Sequence, residues 1–195
     1  MSAPVVAAVV LAAGGGRRYG MPKALVEYEG SLLVERAVAT AAAACDPVLV
    51  VLGARAVDVW RSASLGDAVV LANKDWETGM ASSLRTGLDG LRGWPGRVDA
   101  ALVTLVDMPG MTAEALAAVA ATAAPDALAV ATYDGVRGHP VLLGRDHWAG
   151  VGETATGDEG ARRYLAGRDV VEVDCTGLAD PADLDVPPPG VPSAP

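Results

Sequence analysis

Phenylalanine is absent from this chain of 195 residues, and aromatic residues together make up only 4% of it. A core without large rings must be filled by Ala, Val and Leu, which suits helices packed closely on a Val-rich sheet. Cysteine is nearly as scarce: Cys45 and Cys175 lie far apart, with no C-x-x-C and no Cys/His ligand spacing. That excludes a structural zinc module and suits a reducing cytoplasm. Positive charge is also short, with 15 Lys and Arg against 24 Asp and Glu and a net charge of −9. The broad basic face of a general nucleic-acid binder is therefore missing. The apolar run from Val5 to Ala13 lacks a basic leader and is too short to span a bilayer, and no other segment reads as a membrane span. No G-x-S-x-G elbow occurs, so a serine hydrolase has no support.

What remains is a chain that is 51% hydrophobic, enough to exclude a disordered polymer and to build one domain. Val5–Leu11 is almost continuously apolar and β-branched, the mark of an interior parallel strand, and a glycine cluster follows it. Beyond it the pattern alternates. It predicts a helix over Ser31–Cys45 beginning near Ser31, a strand over Pro47–Leu52, a short helix over Arg55–Ser64 and a strand over Asp67–Leu71. A helix over Ser82–Leu91 and a strand over Ala100–Val106 come next, then a helix capped by Thr112 and strands over Leu128–Thr132 and Asp169–Cys175. Such alternation implies a three-layer, Rossmann-like α/β fold around a mostly parallel sheet. Residues 1–186 form the expected domain, with a loop-rich, lid-like stretch from Tyr133 to Gly160 and a Pro-rich, unstructured tail over 187–195.

The segment most charged with chemistry runs Leu11-Ala12-Ala13-Gly14-Gly15-Gly16-Arg17-Arg18-Tyr19-Gly20-Met21-Pro22-Lys23. Glycines after a strand let backbone N–H groups approach an anion, while arginines and a lysine supply countercharge. Two better-known phosphate motifs fail. A dinucleotide fingerprint from Gly14 requires Gly or Ala where Tyr19 stands, and a Walker loop from Gly15 requires Lys where Met21 stands. Asp107, at a strand end just before Met108-Pro109, suits either a turn-forming acid before proline or a carboxylate that can hold Mg2+ through hard oxygen coordination.

These residues resemble the L-A-A-G-x-G-x-R-x-G-x-P-K pattern of MobA-like nucleotidyltransferases, and further elements resemble their molybdenum-cofactor cytidylyltransferase (MocA-like) branch. Asn73 to Ser83 is similar to N-x-x-W/Y-x-x-G-M-x-x-S, and Val103 to Pro109 to L-x-D-x-P. Gly138-His139-Pro140 is similar to G-H-P, and Gly157-Asp158-Glu159-Gly160-Ala161-Arg162 to G-D-x-G-A-R. The likeness spans about residues 5–187. It departs where Tyr19 replaces Met or Phe, and where Asp183-Leu184-Asp185-Val186-Pro187 lacks the threonine of D-x-D-T-P.

The resemblance implies a GT-A-like fold and CMP transfer from CTP to the phosphate of molybdenum-molybdopterin. In that reading Leu11, Ala12, Ala13, Gly14, Gly15 and Gly16 cradle phosphates, with Asn73, Gly79, Ser82 and Ser83 on the base or ribose. Arg17 or Arg18 balances pyrophosphate, Lys23 sits near the transferring phosphorus, and Asp107 with Asp185 (or Asp183) binds Mg2+. His139, Asp158 and Arg162 face the acceptor, although His139 also suits a turn and Arg162 a helix salt bridge. His147 reads as surface, and Trp76 and Trp148 as packing. The other readings are a cofactor chaperone serving an apo-molybdenum hydroxylase, and an NAD(P)H oxidoreductase of the same fold.

Overall fold

The computed structural model describes residues 3–184. In chain order it contains β1 (Val6–Ala12), the short strands β2 (Glu27–Tyr28) and β3 (Ser31–Leu32), α1 (Leu33–Ala42), β4 (Val48–Leu52) and α2 (Ala56–Ser62). Next come β5 (Val69–Ala72), α3 (Met80–Arg92), β6 (Ala100–Leu105), α4 (Ala113–Ala120) and β7 (Leu128–Tyr133). The last elements are β8 (Val136–Gly144), α5 (Trp148–Thr154), α6 (Arg162–Leu165) and β9 (Val171–Asp174).

Period-two alternation explains the layering. On β1, Ala8, Val10 and Ala12 enter one apolar cluster, whereas Ala7, Val9 and Leu11 enter the other. Strand β4 divides the same way, Val48, Val50 and Leu52 against Leu49 and Val51. Helices α1, α2 and α4 cover the first face through residues such as Leu33, Val59 and Leu116; α3, α5 and α6 cover the second through Leu84, Val151 and Leu165. The largest fully buried side chains are leucines and valines, so the ring-poor composition is met by aliphatic packing.

The main sheet has the order β5-β4-β1-β6-β8-β7-β9. Strands β5, β4, β1 and β6 are mutually parallel, and β9 is parallel to β7. Strand β8 runs antiparallel to both its neighbours. The chain first grows from β1 towards β5 and then returns to place β6 on the other side of β1. The carboxyl ends of β1 and β6 thus flank the point where strand order reverses, the usual ligand crevice of open α/β sheets.

Three expectations are corrected. Tyr133–Gly160 is no lid: it holds the nine-residue β8, at the centre of the sheet's second half, and α5. The hairpin from β7 turns at Asp134 (φ 50°) and Gly135 (φ 78°), both in the left-handed region that a tight hairpin requires. Ser31 belongs to β3, and helix α1 spans Leu33–Ala42, shorter at both ends than the expected Ser31–Cys45. Glu35 caps it by accepting from the Leu32 N–H at 2.9 Å, and its other oxygen accepts from the Ser64 N–H at 2.7 Å. His147 is a packed residue, within 2.9 Å of both the Tyr164 hydroxyl and the Asp126 carbonyl. Thr112 does cap α4, accepting from the Ala115 N–H at 3.2 Å. The tail from 187 lies outside the described residues.

A buried carboxylate ties the sheet's opposite edge together. Asp99, 2% exposed, accepts from the Val5 N–H at 2.8 Å and from Arg97 Nε at 2.9 Å. Burial pushes its pKa up, but those donors and the charges of Arg97 and Arg145 outweigh it, leaving the carboxyl below its ordinary value. A depressed folded pKa stabilises above the unfolded value, and this contribution is lost as pH falls through the folded one. Asp99→Ala should therefore cost about 2 kcal/mol in urea unfolding at pH 7. The gap from wild type should close as the pH is lowered below the ordinary carboxylate range; a gap unchanged by acid would contradict the linkage.

Candidate active site

Parallel pairing of β1 with β6 sets Leu11 beside Leu105, and the Val106 N–H donates to the Leu11 carbonyl at 3.1 Å. The glycine loop and Asp107 consequently leave the sheet at the same edge. Between them opens a cleft of about 440 Å3. Gly14, Gly15, Gly16, Arg17, Arg18 and Lys23 form one wall, and Leu105, Val106 and Asp107 its floor. Glu77, Thr78, Gly79, Met80, Ser83 and Asp158 line the opposite side, and Trp76 joins the two by packing on Gly15.

The loop's shape is imposed by its backbone. Gly16 has φ 63°, and its carbonyl accepts from the N–H groups of Tyr19 and Gly20 at 2.9 and 2.8 Å. A Cβ there would lie 1.8 Å from the Met21 carbonyl oxygen, so only glycine closes this turn. Tyr19 is buried in the first apolar cluster, anchoring the loop below while Arg17 and Arg18 are exposed above. At Gly14 a Cβ would meet no protein atom within 4 Å, so the strand end stays open to a ligand. Trp76 packs against the loop, as expected: a Cβ on Gly15 would fall 2.9 Å from its ring.

The loop returns Lys23 to Asp107, where Nζ donates to Oδ2 at 2.7 Å. Both side chains are about four-fifths buried, with 16% and 21% exposure, so the charges meet in a weakly screened position. The C-terminal segment reaches the same point: the Leu184 N–H donates to the Asp107 carbonyl at 2.8 Å. Asp183 therefore adjoins the strand end, and Asp185 lies outside the described residues. Among the described residues no group of three or more His, Cys, Asp or Glu is arranged to hold a metal ion. One carboxylate with a neighbouring acidic segment still fits Mg2+, which keeps several waters and takes phosphate oxygens from its substrate.

The opposite wall is built from the start of α3. Gly79 has φ 109°, and a Cβ on it would lie 2.5 Å from the Gly157 backbone. That contact brings the Gly157-Asp158 turn onto the helix: Met80 N–H donates to Asp158 Oδ1 at 3.1 Å, and Ala81 N–H to the Gly157 carbonyl at 2.8 Å. The first amides of α3 are thus already satisfied. Ser83 lines the cleft, whereas Asn73 and Ser82 lie behind the wall, bound to each other at 2.8 Å. His139 and Arg162 are also outside the cleft lining. His139 sits at a bulge where β8 slips register opposite Val130 and Ala131, with its carbonyl held by the Tyr133 hydroxyl at 2.9 Å. Burial pushes its imidazole down to about 4; the Asp107 charge opposes this and the Arg162 charge adds to it. His139 is therefore neutral at pH 7. Glu77 and Thr78 are cleft residues the sequence did not single out; their place between Trp76 and Gly79 was the available signal.

Comparison with known proteins places this geometry in context. The family described as the MobA-like NTP transferase domain matches residues 8–173. The chain belongs to that family. A nicotine blue oxidoreductase from Paenarthrobacter nicotinovorans is 35% identical over 193 residues, covering 93% of each chain. A crystal structure of a Mycobacterium tuberculosis Rv0371c homologue, from Mycobacterium sp. strain JC1, has a TM-score of 0.80 at 29% identity, covering 93% of this chain and 90% of that one. Rv0371c in complex with manganese has a TM-score of 0.71 at 25% identity, covering 87% and 88%. In this MobA-like domain, as expected, no helix among the described residues is long and apolar enough to cross a membrane.

The loop geometry makes two glycines behave differently. Gly16→Ala should lower folding stability by about 2 kcal/mol or more, because a left-handed backbone and a backbone clash combine. Gly14→Ala should stay within about 0.5 kcal/mol of wild type. Chemical denaturation of both variants checks this; equal losses would refute the loop's conformation.

Proposed function

We propose that this protein is a Mg2+-dependent nucleotidyltransferase that transfers CMP from CTP to the phosphate of molybdenum-molybdopterin, releasing pyrophosphate. The observation carrying this reading is the Lys23–Asp107 contact at the mouth of the glycine loop. It sets one cation and one hard-oxygen anion beside a surface open to phosphate, the charge pattern that phosphoryl transfer requires. An acceptor phosphate oxygen forms a new bond to the α-phosphorus as the bond to the bridging α–β oxygen breaks, and pyrophosphate carries away that electron pair. A phosphate monoester with a second pKa of about 6 is already largely ionised, so the chain need not supply a strong base.

In this reading the residues align and neutralise. Gly14, Gly15 and Gly16 with Leu11, Ala12 and Ala13 present strand-end backbone to the triphosphate, and Arg17 or Arg18 balances the leaving pyrophosphate. Lys23 orients the transferring group. Asp107, with Asp183 or Asp185, holds Mg2+, which when bound supplies charge neutralisation for the phosphates. Gly79 and Ser83 border the nucleoside, and Asp158, expected on the acceptor side, caps α3 and is assigned to the nucleoside side with them. His139 and Arg162 are assigned to the acceptor side, His139 as a neutral hydrogen-bonding group.

The 35% identity to an oxidoreductase supports a second reading, in which the same cleft binds a nicotinamide cofactor. The missing dinucleotide fingerprint at Tyr19 weighs against it. A cofactor chaperone for a molybdenum hydroxylase would bind CTP without turnover.

Thermal-shift titration with CTP, GTP, ATP, UTP and NAD(P)H, each with and without Mg2+, separates these readings. CTP at a hundred times its dissociation constant should add about 2.7 kcal/mol of stability, only with Mg2+ present. Lys23→Ala and Asp107→Asn should each lower cytidylyl transfer at least about a hundredfold. Each variant leaves a partner charge that is about four-fifths buried without its counter-ion, so the cost in folding stability should be about 2 kcal/mol, less than the loss in turnover. Stabilisation by NAD(P)H alone would reject the transferase reading.

A further inference from the structure

One backbone group sets the direction of every hydrogen bond around Asn73. The Asp75 N–H can only donate, and it meets Asn73 Oδ1 at 2.9 Å. Nδ2 therefore faces the two serines, donating to Ser82 Oγ at 2.8 Å and to Ser83 Oγ at 3.0 Å. Both hydroxyl oxygens are acceptors in these contacts, so each proton must point elsewhere. The Ser82 hydroxyl donates to the carbonyls of Gly79 and Asp75, at 2.8 and 3.0 Å. The Ser83 proton meets no acceptor among the described residues. Ser83 is 4% exposed and its remaining surface lines the cleft.

We infer that Asn73 is a positioning residue: by donating to Ser83 it turns that hydroxyl's proton into the cleft, towards a hydrogen-bond acceptor on the nucleobase. The inference rests on the nucleotide-transfer reading and refines it. A phosphate is the wrong partner for this wall, because the carboxylates of Glu77 and Asp158 line it and Asp158 already occupies the first amide of α3. A sugar hydroxyl would pair with either polarity, so a hydroxyl of fixed direction discriminates only against a base edge. Asn73 itself touches no ligand, since both its amide protons are engaged behind the wall.

Replacing Asn73 by Asp keeps the shape and the acceptor for Asp75 while exchanging the donor for an acceptor, which draws the Ser83 proton back. Isothermal titration with CTP and with inorganic pyrophosphate, both with Mg2+, is compared for wild type, Asn73→Asp, Ser83→Ala and the double variant. Each single change should weaken CTP about tenfold, the value of one hydrogen bond, and the double variant should bind no more weakly than either. Pyrophosphate affinity should stay within about twofold throughout, a readout that a purely structural role for Asn73 would not spare. Ser83→Thr, which retains the hydroxyl, should hold CTP within about threefold of wild type, and carries the test if Asn73→Asp fails to fold. An additive loss of about a hundredfold, an unaltered CTP affinity in Asn73→Asp, or a parallel loss of pyrophosphate binding overturns the inference. Equal affinity in Ser83→Ala and Ser83→Thr does the same. Wild-type protein that binds neither probe refutes the transferase reading itself, whereas wild-type binding with an additive cycle removes only this inference.

Discussion

The parallel pairing of β1 with β6 is the constraint on which the cleft depends. Because the two strands run together from Val6 beside Ala100 to Leu11 beside Leu105, they end at one level. The glycine loop and Asp107, 84 residues from Lys23 in sequence, are thereby delivered to the same edge. An antiparallel β6 would have carried Asp107 to the far side of the sheet. The Ala- and Val-rich faces of both strands hold this register, since a slip of one residue would turn each buried side chain towards the opposite helix layer. Lys23 reaches Asp107 only because the Gly16 turn and the buried Tyr19 fold the intervening chain back over the strand end.

The opposite wall depends on a different device. Edge strand β5 ends far from β1, and the segment after it must cross β4 to reach the cleft. The Asn73 N–H begins that crossing by donating to the Leu52 carbonyl at 2.7 Å, and Trp76 completes it by packing against Gly15 and Gly53. The crossing then feeds α3, whose first turn is secured by Gly157 and Asp158 from late in the chain. Elements distant in sequence thus share one short stretch of wall. Their contacts are largely backbone hydrogen bonds and glycine close approaches, which hold geometry without occupying the cleft.

Much of this was legible in the sequence, for identifiable reasons. The strand at Val5–Leu11 and the loop after it stand out because continuous burial and consecutive glycines leave few alternatives. Thr112 was readable as a cap because its side chain acts locally. The β7–β8 hairpin was missed although Asp134-Gly135 is a strong hairpin signal, because the glycines and prolines around it suggested a loop. The start of α1 was read close to its place from Ser31, but its cap is Glu35, which reaches back from inside the helix. The site residues divide along the same line. Gly14–Gly16 stand out through local chain shape at a strand end, and Lys23 and Asp107 through residue type and motif spacing, although only the folded sheet brings those two together. Asn73 depends on partners up to ten residues away whose orientation only the folded chain reveals, so residue type alone suggested a ligand contact.

The cleft's two walls differ in what they ask of a ligand. The glycine-loop wall carries Arg17, Arg18 and Lys23, whereas the α3 wall carries Glu77 and Asp158. A ligand spanning both needs an anionic end and an uncharged, hydrogen-bonding end. Nucleoside triphosphates and dinucleotide cofactors both meet that description. What separates the two chemistries is the floor. Hydride transfer calls for no carboxylate and lysine at the strand end, because no phosphorus–oxygen bond is broken there. Phosphoryl transfer calls for both, one to hold a divalent ion and one to meet charge on the transferring group. Lys23 and Asp107, bound to each other at 2.7 Å on that floor, therefore weigh on the side of transfer.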